Sequence, residues 1–178
     1  MGHKHTREQI LAGALEAAID DGLSQLTFGR LARRLGISDR IVVYYFPTKD
    51  DLVTAVVVTM GVQLQQVLAK AFTSRAADHV QLARAAWPIL ARPEIDPVFR
   101  LFFEANGLAV AGREPFQALT VALTESWIVW LTEFIDGSPD HRRAEAEAAL
   151  VVIDGLILLR LLAGPAAADR AAARLGIG

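Results

Sequence analysis

The chain of 178 residues contains no cysteine, which excludes disulfide frameworks, zinc–thiolate sites, iron–sulfur clusters and thiol nucleophiles. The absence of disulfides suits a reducing compartment. Long apolar/polar alternation is missing, and there is no Asn-Gly or Asp-Gly hairpin, so nothing argues for a sheet. An uncharged run of about 20 residues, as a membrane-spanning helix needs, is missing too. The most apolar stretch, Ala148 to Gly164, is broken by Asp154 and Arg160. The opening MGHKHTREQ is polar where a secretory leader would be apolar. A soluble, cytoplasmic chain with no membrane partner is expected. His3, His5, His79 and His141 show no His-Glu-x-x-His spacing, and His3 and His5 fall on an end expected to fray. There is no glycine-rich phosphate loop and no Gly-x-Ser-x-Gly elbow, and Glu145 and Glu147 cannot share a helix face at a spacing of two. No catalytic residue, metal or cofactor is expected, and the chain does not read as an enzyme.

What is present is apolar and helical. Apolar residues make up 53% of the chain against 21% charged, enough for a sizeable core in one large domain or a small domain joined to a larger one. Thr6 with Gln9 forms a capping box ahead of a helix whose inner stripe is Ile10, Leu11, Ala14, Leu15 and Ala18. Gly22 closes it. Thr27 caps a short helix from Phe28 to Leu35 with Leu31, Ala32 and Leu35 inward. Gly36-Ile37-Ser38 forms a tight turn in which Ile37 plugs the core and Ser38 caps the next helix, Asp39 to Tyr45. Phe46-Pro47 ends that helix, because the residue before proline disfavours the helical region. Thr48 caps a long helix running to Phe72. Further helices are expected over Ala77–Ala91, with a kink at Pro88, and over Pro97–Ala111, Pro115–Ile135, Pro139–Leu162 and Ala167–Leu175.

The formal charge of −2 alone argues against a nucleic-acid partner, but the charge is unevenly spread. Leu23 to Lys49 holds Arg30, Arg33, Arg34, Arg40 and Lys49 against Asp39 alone, a local +4. Binding to a polyanion depends on this local field. The cations coincide with two short helices joined by a glycine turn, the helix-turn-helix arrangement whose second helix enters the DNA major groove.

Three stretches carry a family likeness: Thr6-Arg-Glu-Gln-Ile-Leu with Ala17-Ala and Asp21-Gly; Leu26-Thr with Leu31-Ala-Arg-Arg-Leu-Gly-Ile-Ser38; and Tyr44-Tyr-Phe-Pro-Thr-Lys-Asp-Asp-Leu52. They resemble the TetR family of bacterial transcriptional regulators over roughly the first 55 residues. Beyond these only Asp154-Gly155-Leu156 echoes it. The resemblance implies an all-α fold. Residues 1–50 would be a three-helix helix-turn-helix DNA-binding domain, with its motif at 27–46. A long helix would join it to a helical ligand-binding and dimerisation domain at 51–178. Thr27 would meet a phosphate at a helix N-terminus. Lys49 would meet the DNA backbone, as would Arg30 more weakly, alongside Arg33 and Arg34. Ser38, Arg40, Val43 and Tyr44 complete the expected interface, with Arg40 reading guanine bidentately or meeting a phosphate. The chain departs from the family at Ile41-Val42-Val43, which removes a hydroxyl and a phenol that would reach phosphate, and apolar groups there could touch thymine methyls instead. Tyr45 stands where the family often has histidine, and either reaches phosphate or packs with Phe46. Asp39 repels phosphate unless it caps the helix or accepts from cytosine.

In the second half, Phe116, Leu119, Leu123, Trp127, Trp130, Leu131 and Phe134 recur at helical spacing, while Ile128, Val129 and Ile135 make the opposite side apolar too. A helix apolar all round is buried all round. The resemblance implies that the helices at 115–135 and 139–162 form a four-helix homodimer interface; an ordinary monomer core is the alternative. Trp87, Phe99, Phe103, Asn106, Trp127 and Trp130 are the candidates to contact a small apolar effector, and Glu104 and Asp154 are further polar groups in apolar surroundings. The expected function is a dimeric repressor that binds a palindromic double-stranded DNA operator and is released by that effector. The competing reading is a helical receptor whose main partner is another protein.

Overall fold

The computed structural model describes residues 5–178; His3 and Lys4 lie outside the described residues. The chain runs α1 (Arg7–Asp21), a 3-10 turn (Leu23–Gln25), α2 (Phe28–Leu35), α3 (Asp39–Tyr45), α4 (Lys49–Leu68), α5 (His79–Leu90), a 3-10 turn (Pro93–Ile95), α6 (Asp96–Val110), α7 (Phe116–Thr132), α8 (Pro139–Ala163) and α9 (Pro165–Arg174). No strand forms among the described residues; one parallel bridge joins Ala76 to Ile135. The fold is all-α, with an N-terminal helix-turn-helix and a helical C-terminal part. The chain divides into two compact units, one of residues 1–63 and 100–120, the other of residues 64–99 and 121–178.

In the first unit, local chemistry sets each helix end. Both halves of the Thr6/Gln9 capping box form, and Gly22 closes α1 at φ 91°. Gly36 closes α2 in the left-handed region at φ 66°, ψ 32°, a conformation that costs glycine little. Gly13 permits close approach of α1 and α2: a Cβ there would lie 2.5 Å from Leu35 Cδ2. Ile10, Ala14, Leu31, Val42, Phe46, Leu52 and Val56 form a fully buried core, while Leu11, Leu35 and Ile37 are only half-buried. The Arg7 guanidinium lies 4.9 Å over the Phe46 ring. His5 is tied in rather than frayed, because its carbonyl accepts the Tyr45 hydroxyl at 3.2 Å.

Thr48 and Asp51 form a second reciprocal cap at the start of α4. That helix stops at Leu68, four residues short of the expected Phe72, in a turn where the Ala71 amide bonds the Leu68 carbonyl and the Thr73 amide bonds the Ala71 carbonyl. By length and composition α4, not the 148–164 stretch, is the described helix able to cross a membrane, at a hydropathy of 1.4. Its apolar character serves a protein core: Leu52, Val53, Val56, Val57, Met60 and Leu68 are buried.

In the second unit, α8 packs against α5 and α9. The buried face of α8 is Ala146, Ala149, Ile153, Leu156, Ile157 and Arg160. Asp78 rather than Ala77 opens α5, its carboxylate accepting from the Gln81 amide at 2.8 Å. Helix α7 ends at Thr132 instead of Ile135, because Phe134 and Asp136 turn their backbone groups to Ala76. Phe72, Trp127, Trp130 and Phe134 stack in one cluster, with ring centroids 4.7–5.8 Å apart.

Candidate nucleic-acid interface

Helix α3 has a single fully buried residue, Val42, which anchors it to the core. Arg40, Ile41, Val43 and Tyr44 are exposed, Tyr44 at 78%. At 100° per residue, Arg40 and Tyr44 share the centre of the outward side, with Ile41 and Val43 flanking them. Tyr45 packs edge-on against the Tyr44 ring at 4.9 Å and holds it upright. This outward row is a product of a seven-residue helix pinned through its inner face.

Thr27 is exposed and caps α2, its hydroxyl accepting from the Arg30 amide at 3.3 Å while its own O–H remains able to donate. Ser38 occupies the capping position of α3 but its hydroxyl makes no capping bond. The Ile41 amide is taken instead by the Ser38 carbonyl at 3.0 Å, a tight first turn that leaves the hydroxyl uncommitted. Lys49 is exposed at the first position of α4.

The five cations of the patch divide into two sets. Arg34 reaches back to α1, 2.6 Å from Asp20 and 4.0 Å from Glu16, and the hydrogen bond it donates to Asp20 raises its pKa. Arg30 donates to Gln25 Oε1. Arg33, Arg40 and Lys49 are exposed and have no ion pair among the described residues. Gln25 is neutral, so only Arg34 has its charge offset, and Arg30, Arg33, Arg40 and Lys49 keep theirs open to a polyanion. Tyr45 is half-buried and its phenol donates to the His5 carbonyl.

One group that shapes this unit carried no sequence signal of its role. Glu104, expected among apolar residues as a possible ligand group, accepts from the Leu23 and Ser24 amides, each at 2.9 Å, and from the Ser24 hydroxyl at 2.6 Å. One carboxylate thereby caps the 3-10 turn that leads into Thr27 and α2. The 80 residues between the partners hid it.

Of the candidate effector residues, Trp87 and Phe99 are buried in the second unit, and Trp127 and Trp130 are half-buried there in one aromatic cluster. Phe103 and Asn106 are half-buried in the first unit, with Phe103 against Phe102 at 5.3 Å. Asp154, a polar group expected in apolar surroundings, has a side chain with no hydrogen bond or ion pair among the described residues. Burial pushes its carboxyl from 3.8 up to about 6. An acid whose pKa is raised by folding is held neutral in the native state at low pH. Its destabilising effect is therefore absent below about pH 4, grows through pH 6 and is complete above it. Asp154→Asn is expected to raise the melting temperature by roughly 3–6 °C at pH 7.5 and hardly at all at pH 4. Equal shifts at both pH values in thermal melts would refute a buried, titrating carboxyl.

Residues 10–56 match the family described as bacterial regulatory proteins, tetR family. No curated protein matches the chain. A transcriptional regulator from Rhodococcus sp. Rha1 superposes with a TM-score of 0.74 at 21% identity, covering 97% of this chain and 93% of that one. A TetR transcription regulator from Haloarcula marismortui gives 0.70 at 20% identity, covering 96% and 95%. The multidrug binding protein EbrR complexed with proflavin gives 0.66 at 23% identity, covering 95% and 98%. At these identities the three neighbours establish the fold, and the matched segment contains the whole helix-turn-helix whose geometry is described above. Over that segment, which holds the helix-turn-helix, the chain is similar to the tetR family of bacterial regulatory proteins.

Proposed function

We propose that the protein is a homodimeric repressor that acts in the cytoplasm, binds a palindromic duplex operator and leaves it when a small apolar effector binds. The observation that carries this reading is the outward row on α3, where Arg40 and Tyr44 stand exposed over a single buried anchor, Val42. Residues 1–50 form the DNA-reading domain and residues 51–178 the effector and dimer domain. Thr27, Ser38 and Lys49 meet phosphates, Arg30 assists them, and Arg40, Val43 and Tyr44 face the bases. Tyr45 supports the row from behind.

A palindrome requires two reading helices related by a two-fold axis, with half-sites about 34 Å or more apart. Helix α8 supports this. Val151 (74% exposed), Gly155, Leu158 (40%) and Leu162 (78%) recur at spacings of four, three and four on the side opposite its buried face. A Cβ at Gly155 would meet nothing, so a second helix could approach closely there. On α7, Val121 and Val129 are exposed as well.

Within the second unit, the aromatic residues Trp87, Phe99, Trp127 and Trp130 contact the effector. EbrR, of the same fold, is a multidrug binding protein complexed with proflavin, which supports a small-molecule effector here. The effector releases DNA only through its different affinity for the DNA-bound and free conformations.

Selection of bound fragments from random duplex DNA tests the reading. Wild-type protein is expected to enrich an inverted repeat. The triple variant Arg40→Ala, Tyr44→Ala, Lys49→Ala should lose at least about a hundredfold in affinity for that repeat, at about 1–3 kcal/mol per base contact. These side chains are exposed, so its melting temperature should be unchanged. Failure of the wild type to bind any duplex at low salt would refute the proposal.

A further inference from the structure

The departures at Ile41 and Val43 mark an unusual surface. These β-branched side chains are 37% and 41% exposed and flank the Arg40–Tyr44 pair on either side of α3. A seven-residue helix has one inner face, and here Val42 alone fills it. The exposed pair therefore leaves apolar surface in water. Neither side chain can donate to or accept from a phosphate or a base edge. The major groove offers one apolar group to such side chains, the C5-methyl of thymine.

We propose that Ile41 and Val43 set operator specificity by packing on thymine C5-methyl groups that bracket the position met by Arg40. The inference rests on the reading of α3 as the groove-entering helix, and it adds the base chemistry that this chain selects. The half-site is then a G·C pair or phosphate contact at Arg40 with thymines to both sides, within the three or four base pairs that a helix about 10 Å long can cover. At these flanking positions recognition is by methyl burial, so there it tolerates loss of base-edge hydrogen-bonding groups better than loss of the methyl.

The test alters the DNA before the protein. In the operator obtained by random-duplex selection, each half-site thymidine is replaced in turn by deoxyuridine, which removes the methyl and keeps every pairing and groove hydrogen-bonding group. Titration by fluorescence anisotropy is expected to show affinity falling about three- to fivefold at each thymine that is read. Replacing a read thymidine by deoxycytidine should weaken binding, and 5-methyldeoxycytidine at the same place should recover part of the loss. The double variant Ile41→Ser, Val43→Ser should bind more weakly and become indifferent to deoxyuridine. Affinity unchanged by deoxyuridine at every half-site thymine would overturn the proposal. So would a deoxyuridine penalty that persists in the double variant. If wild-type protein binds no duplex, the reading of α3 itself fails; operator binding with no methyl dependence fails only this inference.

Discussion

Replacing Val151 and Leu158 together by glutamate is expected to convert the protein to single subunits and to cut its affinity for a full operator at least about a hundredfold. Both side chains lie on the outward stripe of α8, Val151 74% and Leu158 40% exposed, so the substitutions remove little from the core. Across a two-fold axis the same patch faces its own copy. Each glutamate would then meet a second glutamate in a desolvated seam, where like charges repel strongly and neither is paired. A single subunit keeps its reading helix but loses the second half-site, and joining two half-sites raises avidity by roughly 10²–10⁴. Sedimentation velocity reads the mass and anisotropy reads the affinity. An unchanged dimer would place the interface elsewhere. Monomers that bind the full operator as tightly as wild type would remove the need for a dimer.

The elements that sequence reading recovers are those fixed by neighbours in the chain. Thr6 with Gln9, Gly22, Gly36 and Phe46-Pro47 each act over a few residues, and the first three helices end where those residues place them. The outward row on α3 was expected from the family resemblance alone, because Ile41, Val42 and Val43 are alike apolar and only the fold selects Val42 as the anchor. Boundaries set by distant partners were not legible. Helix α7 stops early because Ala76 captures the backbone beyond it, and residue order gives no hint of that pairing. The roles of the charged side chains were hidden too. Arg34 reads as a phosphate candidate from its position in the basic run, but Asp20, one residue before the end of α1, claims it. Ser38 reads as a cap from its type and place, yet the backbone satisfies the amide first. Glu104 has a carboxylate chemistry that suits many partners, and only the fold selects the turn at Leu23–Ser24.

Arg160 shows the same limit and carries the largest expected effect on stability. In the sequence it is a charge that interrupts an apolar run; in the fold it is 4% exposed and donates to Asp96, Nε to Oδ1 at 2.7 Å and Nη2 to Oδ2 at 3.3 Å. Two parallel bonds match the guanidinium fork to the carboxylate and fix the end of α8 against the first residue of α6. Removing one partner leaves a charge without compensation in a site that water hardly reaches. Asp96→Ala is therefore expected to cost about 3–5 kcal/mol and to lower the melting temperature by roughly 10 °C or more. The pair as a whole is a different matter, because bringing two ions out of water offsets most of their attraction. Asp96→Leu combined with Arg160→Met should recover most of that loss, as apolar side chains of similar volume fill the same space without a desolvation penalty. Thermal melts of the single and double variants separate the two contributions. If Asp96→Ala melted with the wild type, the guanidinium would have to be hydrated in solution, and its burial beneath α6 would be wrong.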